Sequence, residues 1–205
     1  MLLNFECNLK YCIMIKKSAF LVVGPIQSGK TYLFNQILTS IKQNNPTIGF
    51  TEECLYKNKN RIGYDLLLNL GDKIHRFPFV RIKDRITLDS PNLFQFDMNT
   101  ITTVNSIVKT NIKITKPPLL YFDEYGRIES KGRGLLTAMK MLINQMENQN
   151  ISYSTLFSTR KQNLDSLMHD IQHSFQLNVK PHILTLPSDN KTKDQFITDI
   201  RNSIK

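Results

Sequence analysis

The residues with the clearest chemical content are Gly24-Pro25-Ile26-Gln27-Ser28-Gly29-Lys30-Thr31, which fit the pattern G-x-x-x-x-G-K-[ST] in full. In such a turn consecutive backbone N–H groups converge on a phosphate. The lysine reaches the β- and γ-phosphates of a nucleotide, and the final hydroxyl is a hard oxygen ligand for Mg2+. Gly24, Pro25, Ile26, Gln27, Ser28, Gly29, Lys30 and Thr31 are therefore expected to bind a nucleotide, with Lys30 also serving catalysis and Thr31 the metal. The dinucleotide pattern G-x-G-x-x-G is absent, and a lysine here suits a triphosphate better than a pyrophosphate bridge. A random chain of this length would show the pattern roughly once in a hundred, and this copy also sits between an apolar run and an amphipathic stretch, where it must sit to work.

A second constellation lies about ninety residues further on. Leu119-Leu120-Tyr121-Phe122 is an apolar run that ends in Asp123-Glu124. A buried parallel strand delivers residues at its carboxyl end into the ligand crevice. Asp123 is expected to hold Mg2+ with Thr31, and Glu124 to activate a water for attack on the γ-phosphate. Arg127 is placed either to reach the γ-phosphate or to pair with Glu129. Arg61 is either a phosphate or ribose contact or a solvated charge at a hairpin start. Ser158-Thr159-Arg160 follows another apolar run and either senses the γ-phosphate or starts a helix. His169 and His173 have a chelating spacing but lack the glutamate of H-E-x-x-H, so they read as surface residues. Tyr64, Phe77, Phe79 and Phe94 read as core aromatics, one of which could stack on a base.

The elements that must position these groups can be read from periodicity. Residues 19–23 and 119–122 are continuous apolar runs of the kind found in central strands. Residues 30–43 place Leu33, Phe34, Ile37, Leu38 and Ile41 at helical spacing, and 135–147 do the same with Leu135, Leu136, Met139, Leu142, Ile143 and Met146. Further strands are predicted at 47–50, 61–70, 77–82, 152–157, 174–179 and 182–186, and further helices at 98–111, 163–171 and 191–203. This alternation predicts an α/β fold with a largely parallel central sheet. Residues 1–18 read as an N-terminal extension, either an added strand or a loose arm, with 19–205 as one domain. Within it, 51–116 is punctuated by Gly and Asn and reads as a small β-rich insert or flap.

The composition bounds partners more than fold. The chain has 205 residues, 40% hydrophobic, with a formal net charge of +10. That excess suits a polyphosphate or a nucleic acid, or only solubility, and Arg76, Arg81, Lys83 and Arg85 are its densest cluster. Cys7, Cys12 and Cys54 form no C-x-x-C pair, which argues against a zinc site or a disulfide framework. No run is long and apolar enough to span a membrane, and the opening stretch is a poor signal peptide. A cytoplasmic protein is the expectation.

Taken together, the motifs resemble the small P-loop nucleoside-triphosphatases, also called cancer-related nucleoside-triphosphatases. The likeness is carried by the phosphate loop, Gly49-Phe50-Thr51-Glu52-Glu53, Arg61-Ile62-Gly63-Tyr64-Asp65 and Asp123-Glu124-Tyr125-Gly126-Arg127-Ile128-Glu129. The resemblance implies a three-layer P-loop NTPase fold and slow, Mg2+-dependent hydrolysis of ATP, GTP and other nucleoside triphosphates. It implies that Lys30 and Thr31 bind phosphate and metal, that Glu124 prepares the water, and that Gly126 and Glu129 shape the segment after the acids. The chain departs from the family where Leu55 stands near a usual arginine, and where Asn190-Lys191-Thr192-Lys193-Asp194 replaces Asn-Arg-Asp. Two other readings stay open: a kinase for a small hydroxyl compound, which would need an acceptor pocket, and an ATP-gated nucleic-acid-binding module, which the charge favours.

Overall fold

The computed structural model of the chain describes residues 15–82, 94–110 and 112–205. Most of the expected N-terminal extension, Cys7 and Cys12, and Lys83 and Arg85 of the basic cluster lie outside the described residues. Among the described residues, eight strands form one sheet in the order β5-β4-β3-β2-β6-β7-β1-β8. They are β1 (Lys17–Val23), β2 (Thr47–Lys57), β3 (Asn60–Leu70), β4 (Ile74–Ile82), β5 (Phe94–Phe96), β6 (Leu119–Tyr125), β7 (Tyr153–Thr159) and β8 (His182–Thr185). The helices are α1 (Lys30–Lys42), α2 (Met98–Val108), α3 (Leu136–Asn148), α4 (Leu164–His169) and α5 (Asn190–Ser203). The fold is α/β with a mixed, mostly parallel central sheet.

From β2 through β6, β7 and β1 to β8 every neighbouring pair is parallel. Alternate residues of these strands face two separate cores, as the two-residue period of a strand requires. Leu21, Val23, Leu120, Phe122 and Phe157 face one, closed by α2, α3 and the segment around α4. Phe20, Val22, Leu119, Tyr121 and Leu156 face the other, closed by α1 and α5. Burial on both faces explains why these strands read as unbroken apolar runs. Among the described residues no helix is long and apolar enough to cross a membrane.

The β-rich region continues this same sheet. β2 pairs in parallel with β6 only from Thr47 to Phe50, then runs on to Lys57 and returns as β3. The turn between them places Asn58 and Lys59 at φ 50° and 66°, the backbone of a two-residue hairpin turn. β3, β4 and β5 then follow as antiparallel neighbours.

One predicted strand is corrected. Residue 174 ends a π-helical turn and residues 175–179 are irregular. Phe175 and Leu177 are buried in the first core, and their N–H groups donate to the carbonyls of Asp170 and Ile171. The alternation of apolar residues there records a closing turn laid against the core after the π-helical turn Asp170–Ser174.

Candidate functional site

The carboxyl ends of the parallel strands share one edge of the sheet, and the phosphate loop leaves β1 at that edge. Its start is fixed on both sides. Gly24 N–H donates to the Thr159 carbonyl at 3.2 Å, and Leu186 N–H donates to the Val23 carbonyl at 2.7 Å. Gly29 then takes a left-handed φ of 84° at the N-cap of α1, a conformation that costs glycine little. Among the described residues no side chain caps this helix, and its first turn holds no acid. Its unsatisfied N–H groups and positive dipole end are thus available to an anion. The Ser28 hydroxyl oxygen, inside the same loop, is buried and has no hydrogen-bond partner among the described residues.

Lys30 is buried, and its Nζ donates to the carbonyls of Gly24 at 2.9 Å and Pro25 at 2.8 Å. Burial lowers its pKa and the nearby Arg160 adds to that effect, while Glu124 and Asp123 oppose it. Thr31 follows on the exposed side of the first turn.

The acidic pair arrives on a β-bulge. Between Phe122 and Tyr125 the β6 chain advances three residues while its β7 partners, Phe157 to Thr159, advance two. The extra residue re-aims the side chains at the strand end. Glu124 adopts φ 58°, a sparsely populated state for a residue with a Cβ, which must be held by its surroundings. Two hydroxyls of β7 hold it: Ser158 Oγ accepts from Glu124 N–H at 2.9 Å, and Thr159 Oγ1 donates to the Tyr125 carbonyl at 2.7 Å. Ser158 Oγ also donates to Asp123 Oδ1 at 2.5 Å. Asp123 is 2% exposed, and burial pushes its carboxyl up to about 6, against the pull of the Ser158 hydrogen bond.

The structure brings Lys30, Asp123 and Glu124 to this edge and adds groups to which the sequence assigned no firm role. Ser158 and Thr159 belong to β7, so their reading as a helix start is corrected. Arg160, directly after them, places Nη2 3.6 Å from Glu124 Oε1. Glu52, two residues beyond the last β2–β6 pair, is half-buried, and its carboxyl is raised well above the ordinary range by burial and by Glu124, Asp123 and Glu129. A run of hydroxyl residues closing an apolar strand was the available signal for Ser158 and Thr159. For Glu52 it was an acid continuing the buried face of Ile48 and Phe50. Glu129 is buried and accepts from the N–H groups of Gly126 and Leu135, both at 3.1 Å, so it ties down the turn after β6.

Arg61 and Arg127 stand apart. Arg127 is exposed and forms no ion pair with Glu129 or with another described residue. Arg61 is exposed near the tip of the β2–β3 hairpin, opposite Tyr56, with its guanidinium 5.3 Å from the centre of the Tyr64 ring. At ~3.3 Å per residue, that tip lies about 20 Å beyond the level of Phe50 and Phe122. The rings of His169 and His173 are 4.5 Å apart. Among the described residues no group of three or more His, Cys, Asp or Glu is placed to hold a metal ion. The donors at the phosphate edge nevertheless suit Mg2+, which is commonly held by one or two carboxylates together with hydroxyl, water and phosphate oxygens.

A family model described as NTPase matches residues 19–182. The fold is similar to the solution structure of a human cancer-related nucleoside triphosphatase, with a TM-score of 0.65 and 18% identity over 92% of this chain and 100% of that one. It is also similar to the crystal structure of THEP1 from the hyperthermophile Aquifex aeolicus, with a TM-score of 0.50 and 13% identity over 91% and 99% of the two chains. At these identities the likeness carries the fold alone. No curated protein matches the chain.

Proposed function

The chain belongs to the NTPase family, and on that premise we propose that it hydrolyses nucleoside 5′-triphosphates, ATP and GTP among them, to the diphosphate and phosphate, with Mg2+ as cofactor and Glu124 activating the water. The observation that supports this most is the strand order. β7 separates β1, which carries the phosphate loop, from β6, which carries Glu124. Two strand spacings make about 10 Å, room for a γ-phosphate and a water in line behind it.

In this reading the N–H groups of residues 24–31 and the start of α1 hold the phosphates. Lys30 gives up the Gly24 and Pro25 carbonyls for β- and γ-oxygens. Thr31 and Asp123 would hold Mg2+, which when bound would neutralise charge on those oxygens. Glu124 takes the proton of the attacking water as the water oxygen bonds to the γ-phosphorus and the bond to the β–γ bridging oxygen breaks. Arg127 is proposed as a further cation approaching from the exposed turn, and Arg61 as an outer contact from the hairpin. The finer description of the fold, a three-layer P-loop NTPase with residues 51–116 as a β-rich insert, belongs to the same proposal.

The test is phosphate release from ATP, GTP, CTP and UTP with and without Mg2+ and without any acceptor, alongside nucleotide affinity. Lys30→Ala is expected to abolish tight triphosphate binding. Glu124→Gln is expected to keep binding while turnover falls more than about tenfold. Near-normal turnover in Glu124→Gln would remove it as the base, and phosphate transfer only with an added acceptor would make the protein a kinase.

A further inference from the structure

The end of β7 lies in the middle of the space assigned to the γ-phosphate. β7 is the strand between the phosphate loop and the acidic pair, and the first residue beyond it is Arg160. Its side chain is 40% exposed, and its guanidinium meets Glu124 at a single loose distance of 3.6 Å. That is too long for a hydrogen bond and far from the two parallel bonds an arginine can make with a carboxylate. The same charge is felt by Lys30 on the β1 side and by Glu52 on the β2 side. Arg160 therefore stands among the side chains that would surround a terminal phosphate. Arg127, the other arginine that the sequence offered for this task, lies on the exposed turn with no acidic partner among the described residues.

We propose that Arg160 is a catalytic residue of the reaction given above: its guanidinium exchanges the Glu124 carboxylate for the γ-phosphate oxygens of a bound triphosphate. The exchange does two things at once. It gives the γ-phosphate a cation with the planar fork that suits phosphate oxygens, and it frees Glu124 to accept a proton from water. A diphosphate offers no γ-oxygens, so with it the Arg160–Glu124 pair persists. Arg160 thus reads the third phosphate and couples its presence to the release of the base. The inference rests on the hydrolase reading and deepens it.

The test uses the full chain with Mg2+ and compares affinity for a non-hydrolysable ATP analogue with affinity for ADP, by calorimetry. Removing Arg160 should weaken the triphosphate analogue by about tenfold or more while leaving ADP within about threefold, since a hydrogen-bonded charge pair is lost only with the former. Arg160→Lys should restore part of the preference, because a point charge replaces the fork. Glu124→Gln should bind the triphosphate analogue more tightly than the wild type, because no pair has to open. In the double variant with Arg160→Ala that gain should disappear, whereas it would persist if it reflected only relief of repulsion between Glu124 and phosphate.

Arg160 is exposed enough that its removal leaves no core cavity, and thermal melting of each variant checks this. Equal losses for the diphosphate and the triphosphate analogue in Arg160→Ala, or an unchanged triphosphate preference, would overturn the role. Failure of the wild type itself to bind triphosphate or release phosphate would sink the hydrolase reading and this inference with it, a result distinguished by its appearance before any substitution is made.

Discussion

The two halves of the sheet carry charge in opposite ways. In the parallel half the polar groups are few and enclosed: Asp123, Ser158 and Thr159 are each no more than 2% exposed and are bonded to one another or to backbone. In the antiparallel half they form an open ladder. Arg76 joins Glu53 and Asp65, and Arg81 also joins Asp65, at distances of 2.7–2.8 Å. Geometrically the ladder is the better set of ion pairs, yet Arg76, Arg81 and Glu53 are 43–53% exposed around the more enclosed Asp65, so water screens its outer members and such pairs contribute little. The enclosed set is the desolvated one, and there a single hydroxyl, that of Ser158, bonds both Asp123 and the backbone N–H of Glu124, whose φ is left-handed.

That contrast can be broken most severely at the seam. Gly49 of β2 faces Tyr121 of β6 with φ 148°, and a Cβ there would lie 1.8 Å from the Tyr121 carbonyl oxygen. Gly49→Ala must push the two halves apart. A loss of about 3 kcal/mol or more is expected in denaturant unfolding, and a loss under about 1 kcal/mol would show that the seam yields.

Ser158→Ala comes next. It leaves Glu124 N–H and Asp123 Oδ1 without their shared partner, which should cost about 1–3 kcal/mol. Turnover should fall more than triphosphate affinity, since the variant loosens the acids and leaves the phosphate loop intact. An equal fall in both would assign Ser158 to folding alone.

A smaller effect, with a pH signature, is expected at Glu52. Burial and three acidic neighbours raise its folded-state pKa. A raised carboxyl stays protonated in the folded chain after the unfolded chain has lost the proton, so stability falls as pH rises from the ordinary carboxylate range toward the folded pKa. In chelator, Glu52→Gln should therefore melt with the wild type near pH 4 and several degrees above it near pH 8, on the order of what 1 kcal/mol produces in a domain of this size. A constant offset across that range would point to packing. Arg76→Ala, in the open ladder, should change stability by only about 0–1 kcal/mol, and less at high salt.

Local order was largely legible because it is written in neighbouring residues. The loop at 24–31, the apolar runs at 19–23 and 119–122, and the apolar stripes of α1 and α3 each announce themselves within about a dozen positions. Residues 174–179 misled because alternate burial of an irregular segment copies the period of a strand. β2 was read as ending at Phe50, where its parallel partner ends, because Glu52 and Glu53 interrupt the apolar run. It continues to Lys57 because β3 supplies the backbone bonds on its other side.

By itself, then, the amino-acid order specified an α/β fold, a turn at 24–31 between an apolar strand and an amphipathic helix, and two acids at the end of another apolar strand. Only the folded chain decided what holds those acids and which arginine stands beside them. Ser158 lies 34 residues from the Glu124 N–H it accepts, and their meeting depends on the register of β6 against β7 and on one extra residue in a bulge. Such a register is set by the fit of whole strands and their covering helices, and no run of adjacent residues encodes it.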